Sequence, residues 1–334
     1  MNLLIVTFIA LTLTKCSVLS FAPRTTFANY LDNKPHGRIV GGHAAKPHSH
    51  PYMVSLQLRF LWVRAHMCGG TLLNERWVLT AGHCVSDSLL IRWLNMDAVA
   101  GAHDVDNFGP EVQISTISLR IPHPNYIGGI DKNDIAMLRT STPFQITSAV
   151  RPIRLPSPSL VVDNASLMLP GWGSLKTTFF IPVLPSQLQE LSVTYVPFQQ
   201  CYKQIIDFLD PDEINPLDED VHICTGPLGG GKAACNGDSG GPLVLFQDDK
   251  ATGANSTEVD VPNNGDNEIK TNDNQKKEAK PSSKVEIKPK QESRVPVLIG
   301  VVSWGISPCG EKGAPTVYTN VSQYMDFINS YINS

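Results

Sequence analysis

From Tyr52 onward the chain alternates short apolar runs with turn-forming residues, and this spacing restricts the fold more than any other feature. Four such runs lie in the first half of the chain: Met53–Leu58, Thr71–Leu73, Trp77–Leu79 and Val112–Ile114. Short runs without a helical period predict β-strands. The pattern therefore predicts an all-β chain, built as a barrel or as a sandwich.

Length and charge restrict the function as well as the fold. The 334 residues are enough for two domains or one large one. A net charge of -4 gives no basic excess for binding phosphates, which excludes nucleic acid as a partner. The only long apolar run, Leu3–Leu13, is too short to span a membrane. With the small residues after it, this run predicts a secretory signal peptide, residues 1–20.

The cysteines agree with secretion. Of the seven cysteines, Cys16 would leave with the signal, and six would remain for an oxidising compartment. The sequence around Cys16 also resembles a bacterial lipoprotein site, but the lysine just before it is wrong for such a site. Spacing alone cannot pair the six, and six reduced buried thiols are the disfavoured alternative.

One serine stands among small residues that let backbone amides approach it, in the segment Cys235–Pro242 (Cys-Asn-Gly-Asp-Ser-Gly-Gly-Pro). The Ser239 hydroxyl becomes a nucleophile only beside a base that is oriented by an acid. His83, in Leu-Thr-Ala-Gly-His-Cys, and Asp134, opening Asp-Ile-Ala-Met-Leu, are the candidates. Asp131 is a rival acid, but the apolar pattern that follows Asp134 does not follow Asp131.

These three motifs, in this order, resemble those of the chymotrypsin-like (trypsin-fold) serine endopeptidases, and most closely the invertebrate chymotrypsin- and elastase-like enzymes. The resemblance runs from Ile39 to the C-terminus with one interruption. It implies two antiparallel six-stranded β-barrels with a C-terminal helix. Residues 39–155 would form the first barrel, carrying the histidine and the aspartate, and residues 156–334 the second, carrying the serine and the specificity pocket.

The resemblance also implies three disulfides: Cys68 with Cys84, Cys201 with Cys224, and Cys235 with Cys309. Two local patterns add detail to the second barrel. Val297–Gly305 reads as a buried strand, and Val321–Ile332 has apolar residues at helical spacing. We expect the latter to form the terminal helix and to pack on the second barrel.

In this family the serine attacks a peptide carbonyl, the histidine accepts its proton and the aspartate orients the imidazole. Carried onto this chain, these roles fall to Ser239, His83 and Asp134. The backbone amides of Gly237 and Ser239 would form the oxyanion hole, with glycine at 237 leaving that amide free to point inward. Gly82 stands where the family more often has alanine, and we expect little consequence.

The family pattern further implies a zymogen. Residues 21–38 would be an activation propeptide, cut after Arg38 so that the new amino terminus of Ile39 inserts and pairs with Asp238. A buried carboxylate needs such a partner to offset its desolvation. The activating enzyme would be a trypsin-like protease.

Three residues are expected to set the specificity. Ala233 lies at the pocket base and offers no carboxylate for a lysine or arginine, while Gly305 leaves one wall open and Thr316 shortens the pocket. These residues predict an apolar P1 preference for Leu, Met, Val or Ala, with aromatic side chains as the runner-up. Lys232 neighbours the base, and the sequence does not give its direction.

Further landmarks concern substrate and metal binding. The family uses Ser303, Trp304 and Gly305 to bind extended substrate through the backbone, and Gly171–Gly173 matches another of its motifs. Calcium-binding relatives carry a glutamate where this chain has Ala102, so we expect no metal, and we expect no cofactor.

One stretch does not fit the family. Residues Gln247–Arg294 contain almost no large apolar side chains, which predicts a disordered insertion. A solvated hairpin loop is favoured over a basic docking segment. Asn164, Asn255 and Asn320 begin Asn-x-Ser/Thr sequons and are candidate glycosylation sites.

Together these features predict a secreted, extracellular, monomeric serine endopeptidase. The partners that the resemblance implies are protein or peptide substrates, the activating protease and protein protease inhibitors. The alternative is a catalytically silent homologue that acts as a binding or cofactor protein. Silent homologues generally lose a triad residue, and this chain keeps all three.

Overall fold

The computed structural model describes residues 40–86, 94–157, 160, 165–174, 184–248 and 294–333. A short strand, β1 (His43–Ala44), comes first, and the next six strands close into a barrel in the order β2-β3-β4-β7-β6-β5. These strands are β2 (Met53–Phe60), β3 (Val63–Leu72), β4 (Trp77–Thr80), β5 (Asn95–Ala100), β6 (Gln113–Pro122) and β7 (Ala136–Thr140). All pairings in this barrel are antiparallel.

The second barrel has the order β9-β10-β13-β12-β11-β8 and closes because β8 also pairs with β9. Its strands are β8 (Ser166–Gly171), β9 (Gln189–Val196), β10 (His222–Gly226), β11 (Pro242–Asp248), β12 (Arg294–Gly305) and β13 (Thr316–Asn320). Closure pairs every strand on both sides and removes free sheet edges. The predicted fold of two six-stranded barrels is confirmed. In one detail the chain differs, because β1, expected within the first barrel, pairs with β9 of the second.

In the parts of the chain that the structure describes, the helices are few and short. They are α1 (His83–Ser86), α2 (Phe198–Ile206), a single 3₁₀ turn (Val321–Tyr324) and α3 (Met325–Ile332). The C-terminal helix is therefore present, with its first turn wound more tightly than predicted.

The side on which this terminal segment packs was predicted wrongly. Its aromatic rings lie against the first barrel, not the second: Tyr331 contacts Trp77 at 5.6 Å between centroids, and Tyr324 contacts His123 at 5.3 Å. Asn74 donates to the Ile332 carbonyl at 3.4 Å. The C-terminal segment thus leaves the second barrel and packs on the first, because the aromatic partners of its rings, Trp77 and His123, are there.

Alternation along the strands supplies the core of each barrel. Leu56, Leu72 and Val78 are fully buried inside the first barrel, and Leu169, Leu243 and Tyr318 inside the second. The three disulfides that the resemblance implied are all formed, Cys68–Cys84, Cys201–Cys224 and Cys235–Cys309.

The predicted insertion lies between two neighbouring strands. β11 continues to Asp248 and β12 begins at Arg294, and these two residues form an ion pair at 3.2 Å. Both ends of the insertion therefore belong to one hairpin, as expected, and three of its predicted residues are part of strands. Residues 249–293 lie outside the described residues, as do the predicted signal peptide and propeptide. Among the residues that are described, no helix is long and apolar enough to cross a membrane.

Candidate active site

His83 is the first residue of α1, separated from the end of β4 by two residues, and its loop is fixed from two sides. The Cys68–Cys84 disulfide ties the next residue to β3. Gly82, on the other side, lies against the Tyr126 ring, so that a Cβ at position 82 would come within 2.8 Å of it. Glycine at position 82 therefore leaves room for the Tyr126 ring, and the amino-acid sequence alone did not indicate this contact.

Asp134 is 1% exposed and accepts hydrogen bonds at both carboxylate oxygens. Oδ1 accepts from the His83 backbone N–H at 2.8 Å, and Oδ2 accepts from the His83 ring at Nδ1, also at 2.8 Å. Ser303 donates its hydroxyl to Oδ2 at 2.5 Å, and Thr319 donates to the Asp134 carbonyl at 2.8 Å. The imidazole thus carries its proton on Nδ1 and keeps Nε2 as the basic nitrogen in its neutral form.

The structure brings Asp134, and not Asp131, to the histidine. Asp131 accepts a hydrogen bond from the backbone N–H of its own neighbour, Lys132. Sulfur atoms of Cys68 and Cys84 lie within 4.8 Å of a His83 nitrogen, but both are in a disulfide and offer no thiolate to a metal ion.

The Ser239 loop is bonded to both barrels next to this pair. The Gly69 N–H donates to the Ser239 carbonyl at 2.8 Å, and the Gly240 N–H donates to the Val302 carbonyl at 2.8 Å. Gly69 follows the disulfide that holds His83, and Val302 precedes Ser303, which bonds Asp134. Gly240 has φ +76°, and a Cβ there would lie 2.1 Å from the Thr80 hydroxyl. Only glycine permits this approach, which places Ser239 beside the histidine loop.

The backbone at Gly237 and Ser239 leaves both N–H groups without an acceptor among the described residues. Gly237 has φ +99° and its carbonyl accepts a hydrogen bond from His66 Nε2 at 2.9 Å. The other ring nitrogen of His66 accepts from the Ser55 hydroxyl at 2.8 Å. Burial lowers the pKa of His66 to about 4, so the ring is neutral at physiological pH. Within the described parts of the chain, nothing accepts a hydrogen bond from the N–H of Gly237 or of Ser239.

Asp238 is 1% exposed, and its side chain points away from the serine into the second barrel. Oδ1 accepts from the Gly173 N–H at 2.8 Å and Oδ2 from the Cys235 N–H at 2.9 Å. Burial raises the pKa of this carboxyl to about 6, against the lowering effect of the two hydrogen bonds. Asp238 has no cationic partner among the described residues, and its expected partner Ile39 lies outside them.

The predicted pocket residues lie together at the end of the second barrel. Gly305 on β12 is opposite Thr316 on β13, and the Thr316 hydroxyl accepts from the Ala234 N–H at 3.3 Å. Ala233 is buried, while Lys232 is exposed. Lys232 lies over Gly41, where a Cβ would come within 2.6 Å of its Cγ. The lysine side chain therefore covers the outside of the loop.

Some residues of the site were not recognised in the sequence, and some predicted residues lie outside the described ranges. His66, Ser55 and Thr319 hold the nucleophile loop and the Asp134 carbonyl, yet nothing distinguishes them from ordinary strand residues before folding. Arg38, Ile39, Asn164 and Asn255 lie outside the described residues. Asn320 accepts hydrogen bonds from the N–H and hydroxyl of Ser322, which starts the terminal 3₁₀ turn.

The buried carboxylate gives a direct test of this arrangement. A Cβ on Gly173 would lie 2.0 Å from Asp238 Oδ2 and 2.2 Å from its carboxyl carbon. Gly173→Ala should displace the carboxylate from its two N–H donors and lower the free energy of unfolding by at least about 2 kcal/mol, measured by urea denaturation. Gly229→Ala is the matched control, because its Cβ would meet nothing within 4 Å. Equal stability of the two variants would contradict the arrangement.

Comparisons with known proteins agree with this geometry. The family model described as Trypsin matches residues 39–273 and 289–328. Kallikrein 1-related peptidase b22 of Mus musculus is 30% identical over 300 residues, covering 87% of this chain and 88% of the relative. Kallikrein 1-related peptidase b11 (30%) and epidermal growth factor-binding protein type B (28%), also from Mus musculus, match over 302 residues with the same coverage.

These relatives are mouse proteins, and the resemblance to invertebrate enzymes is not confirmed. The family and the kallikrein-related relatives imply a hydrolase of the serine protease type, with protein substrates. The chain belongs to the trypsin family and has the chymotrypsin-like serine protease fold.

Proposed function

We propose that this protein is a secreted serine endopeptidase, made as a zymogen, which hydrolyses peptide bonds through Ser239, His83 and Asp134. The observation that carries the proposal is the buried Asp134 carboxylate, which fixes His83 through both its ring and its backbone nitrogen at 2.8 Å. This double contact sets the tautomer that a general base beside a serine needs. Three disulfides support a location in an oxidising, extracellular compartment.

In this mechanism the Ser239 hydroxyl oxygen attacks the substrate carbonyl carbon and passes its proton to His83 Nε2. Asp134 stabilises the imidazolium that forms. The amides of Gly237 and Ser239 donate to the developing oxyanion, a contribution of about 3 to 4 kcal/mol per donor. His83 then gives the proton to the leaving amine as the C–N bond breaks, and water releases the acyl group by the same route in reverse.

Active-site labelling tests the triad. A fluorophosphonate probe should form a bond from phosphorus to Ser239 Oγ with loss of fluoride, and Ser239→Ala should not be labelled. Asp134→Asn should slow labelling by about 10⁴-fold, because the amide no longer holds the required tautomer. Asp131→Asn is the matched control and should label at the parent rate. An activated, folded parent chain that is not labelled would instead favour the silent homologue.

The zymogen proposal rests on the surroundings of Asp238. Burial raises the pKa of its carboxylate to about 6, and the described residues give it two N–H donors and no cation, so a nearby ammonium would stabilise its charged form. The segment after the expected cleavage point supports this proposal. Val40 pairs with Ala233, which lies five residues before Asp238. The Ala233 N–H donates to the Val40 carbonyl at 3.3 Å. An ammonium on Ile39 is the partner that we infer.

Arg38→Gln should block activation by trypsin-like enzymes while leaving the barrels folded. The readout is peptide hydrolysis after trypsin treatment, with N-terminal sequencing to find Ile39 as the new terminus. Arg24→Gln, in the same propeptide, is the matched control and should activate normally. Full activity from an uncleaved Arg38→Gln chain would refute the proposal.

In the activated parent, pairing would raise the Ile39 ammonium pKa above the ordinary value of about 8. The stabilisation from this pair is then fully present below pH 8 and is lost as the pH rises through the raised pKa. Activity should fall at alkaline pH over the same range.

For specificity we propose an apolar P1 preference, for Leu, Met, Val or Ala before aromatic residues. Ala233 supports this choice because it is buried and brings no carboxylate, and the neighbouring Lys232 is exposed with its Cγ beside Gly41. Above Gly305 a Cβ would have only the Pro315 carbonyl oxygen near it, at 3.8 Å, so this side is open. The buried Thr316 narrows the opposite side.

A cleavage profile on a peptide library should therefore favour apolar P1 residues over lysine and arginine by at least about 100-fold, because a buried cation would have no counter-charge. Ala233→Asp should bring cleavage after arginine and lysine into the profile. Lys232→Ala is the matched control and should leave the ranking unchanged. Efficient cleavage by the parent after arginine or lysine would overturn the preference.

A further inference from the structure

His222 begins β10 and is 6% exposed, yet the mechanism above gives it no role. Its Nδ1 accepts a hydrogen bond from the Asp218 N–H at 3.0 Å. A neutral ring that accepts at Nδ1 carries its proton on Nε2. Nε2 is buried and has no hydrogen-bond partner among the described residues. The interior therefore holds a titratable ring that makes a single polar contact with the described residues.

This ring closes a turn in front of β10. The His222 N–H donates to the Asp218 carbonyl at 3.1 Å, while the Asp218 N–H donates back to the ring. The turn is also joined to the first barrel, because Asp218 Oδ2 lies 3.6 Å from Lys132 Nζ, two residues before Asp134. The conformation of the turn thus depends on an unprotonated Nδ1.

The ring also lies behind the substrate-binding strand and the catalytic acid. Its edge meets the Trp304 ring at 6.4 Å between centroids and 87° between planes. On β13 the residue opposite it is Thr319, whose hydroxyl donates to the Asp134 carbonyl at 2.8 Å. His222 therefore contacts the Trp304 ring directly. It is also the strand partner of Thr319, the residue that donates to Asp134.

We propose that His222 is a positioning residue for the substrate-binding strand, and that protonation of Nδ1 in acid releases the Asp218 turn and loosens Trp304. The inference rests on the proposed protease function. Its chemical basis is simple: a protonated Nδ1 is a donor and cannot accept from the Asp218 N–H. The ring would then be drawn toward the carboxylates around it, and its edge-to-face contact with Trp304 would shift.

The groups around the ring determine where this change occurs. Asp218, Asp134 and Asp131 raise the pKa of His222, but burial has the larger effect, and the pKa is lowered below its ordinary value of 6.5. Lys132 partly offsets Asp218. Tyr324, whose pKa is raised to about 12, is neutral throughout. The ring is therefore neutral at neutral pH, and the release belongs to the acid side of pH 6.5.

Two substitutions separate the hydrogen bond from the titration. Neither replacement titrates, but Gln in place of His222 can accept from the Asp218 N–H through Oε1, whereas Met offers only a weakly accepting thioether. The assay is the KM of the activated enzyme between pH 4.5 and 8, with a peptide long enough to reach Trp304 and with a single-residue ester that does not reach it. His43→Gln, at an exposed strand histidine, is the matched control.

For the long peptide, the KM of the parent should rise by about fivefold on acidification, the equivalent of one hydrogen bond. His222→Gln should keep the low KM at all these pH values, and His222→Met should have the raised KM throughout. The KM of the short ester should follow the same curve in all variants. An acid rise in KM that persists in His222→Gln, or that appears equally with the ester, would overturn the inference.

A second measurement does not need catalysis. In a Ser239→Ala background, tryptophan fluorescence of the whole chain should show a transition below pH 6.5 that both His222→Gln and Trp304→Phe abolish. An unchanged transition in His222→Gln would refute the positioning role. If the activated parent cleaves no substrate while this transition behaves as expected, the proposed function fails and the inferred coupling of His222 to Trp304 stands.

Discussion

The structure depends on how a single carboxylate, Asp134, is shared between two barrels. Asp134 lies between β6 and β7 of the first barrel, but two hydroxyl donors to this residue belong to the second: Ser303 on β12 donates to the carboxylate, and Thr319 on β13 donates to the backbone carbonyl. A buried carboxylate with fewer donors would be costly, so these contacts favour one relative placement of the barrels around the site. The same contacts orient His83, and the geometry of the candidate catalytic pair therefore follows from the packing of the barrels.

The Ser239 loop also depends on contacts with both barrels. Gly237, Asp238 and Gly240 are each fixed by a different partner: His66 from β3, the N–H of Gly173, and the Val302 carbonyl. The glycines adopt backbone angles that other residues rarely reach, and this allows the loop to approach both barrels closely. A larger side chain at Gly240 would meet the Thr80 hydroxyl and could not bring the Ser239 loop this close to the histidine loop.

The sequence predicted the class of fold and several of the strands because short apolar runs are local signals, and the three disulfides followed from the family motifs. The contacts that decide the site are not local. His66 and Gly237 are 171 residues apart, and Ser303 and Asp134 are 169 apart. The terminal helix shows the limit most clearly: its apolar face is plain in the sequence, but that face is compatible with either barrel. Only the folded chain shows that Trp77 and His123 on the first barrel receive it.

Two buried titratable groups, Asp238 in the Ser239 loop and His66 on β3 against that loop, respond to pH in opposite directions. The Asp238 pKa is raised to about 6, so its contribution to stability is present in acid and is lost as the pH rises from about 4 to 6. The His66 pKa is lowered to about 4, so stability is lost as the pH falls from about 6.5 to 4. Without a cation near Asp238, the loop is therefore destabilised by one group or the other across the whole range. The ammonium proposed for Ile39 would remove the penalty only on the neutral side, where the carboxylate is charged. Cleavage after Arg38 would then stabilise the loop most strongly at the pH where His66 is also neutral, and the activated form that we propose would be most stable near neutral pH.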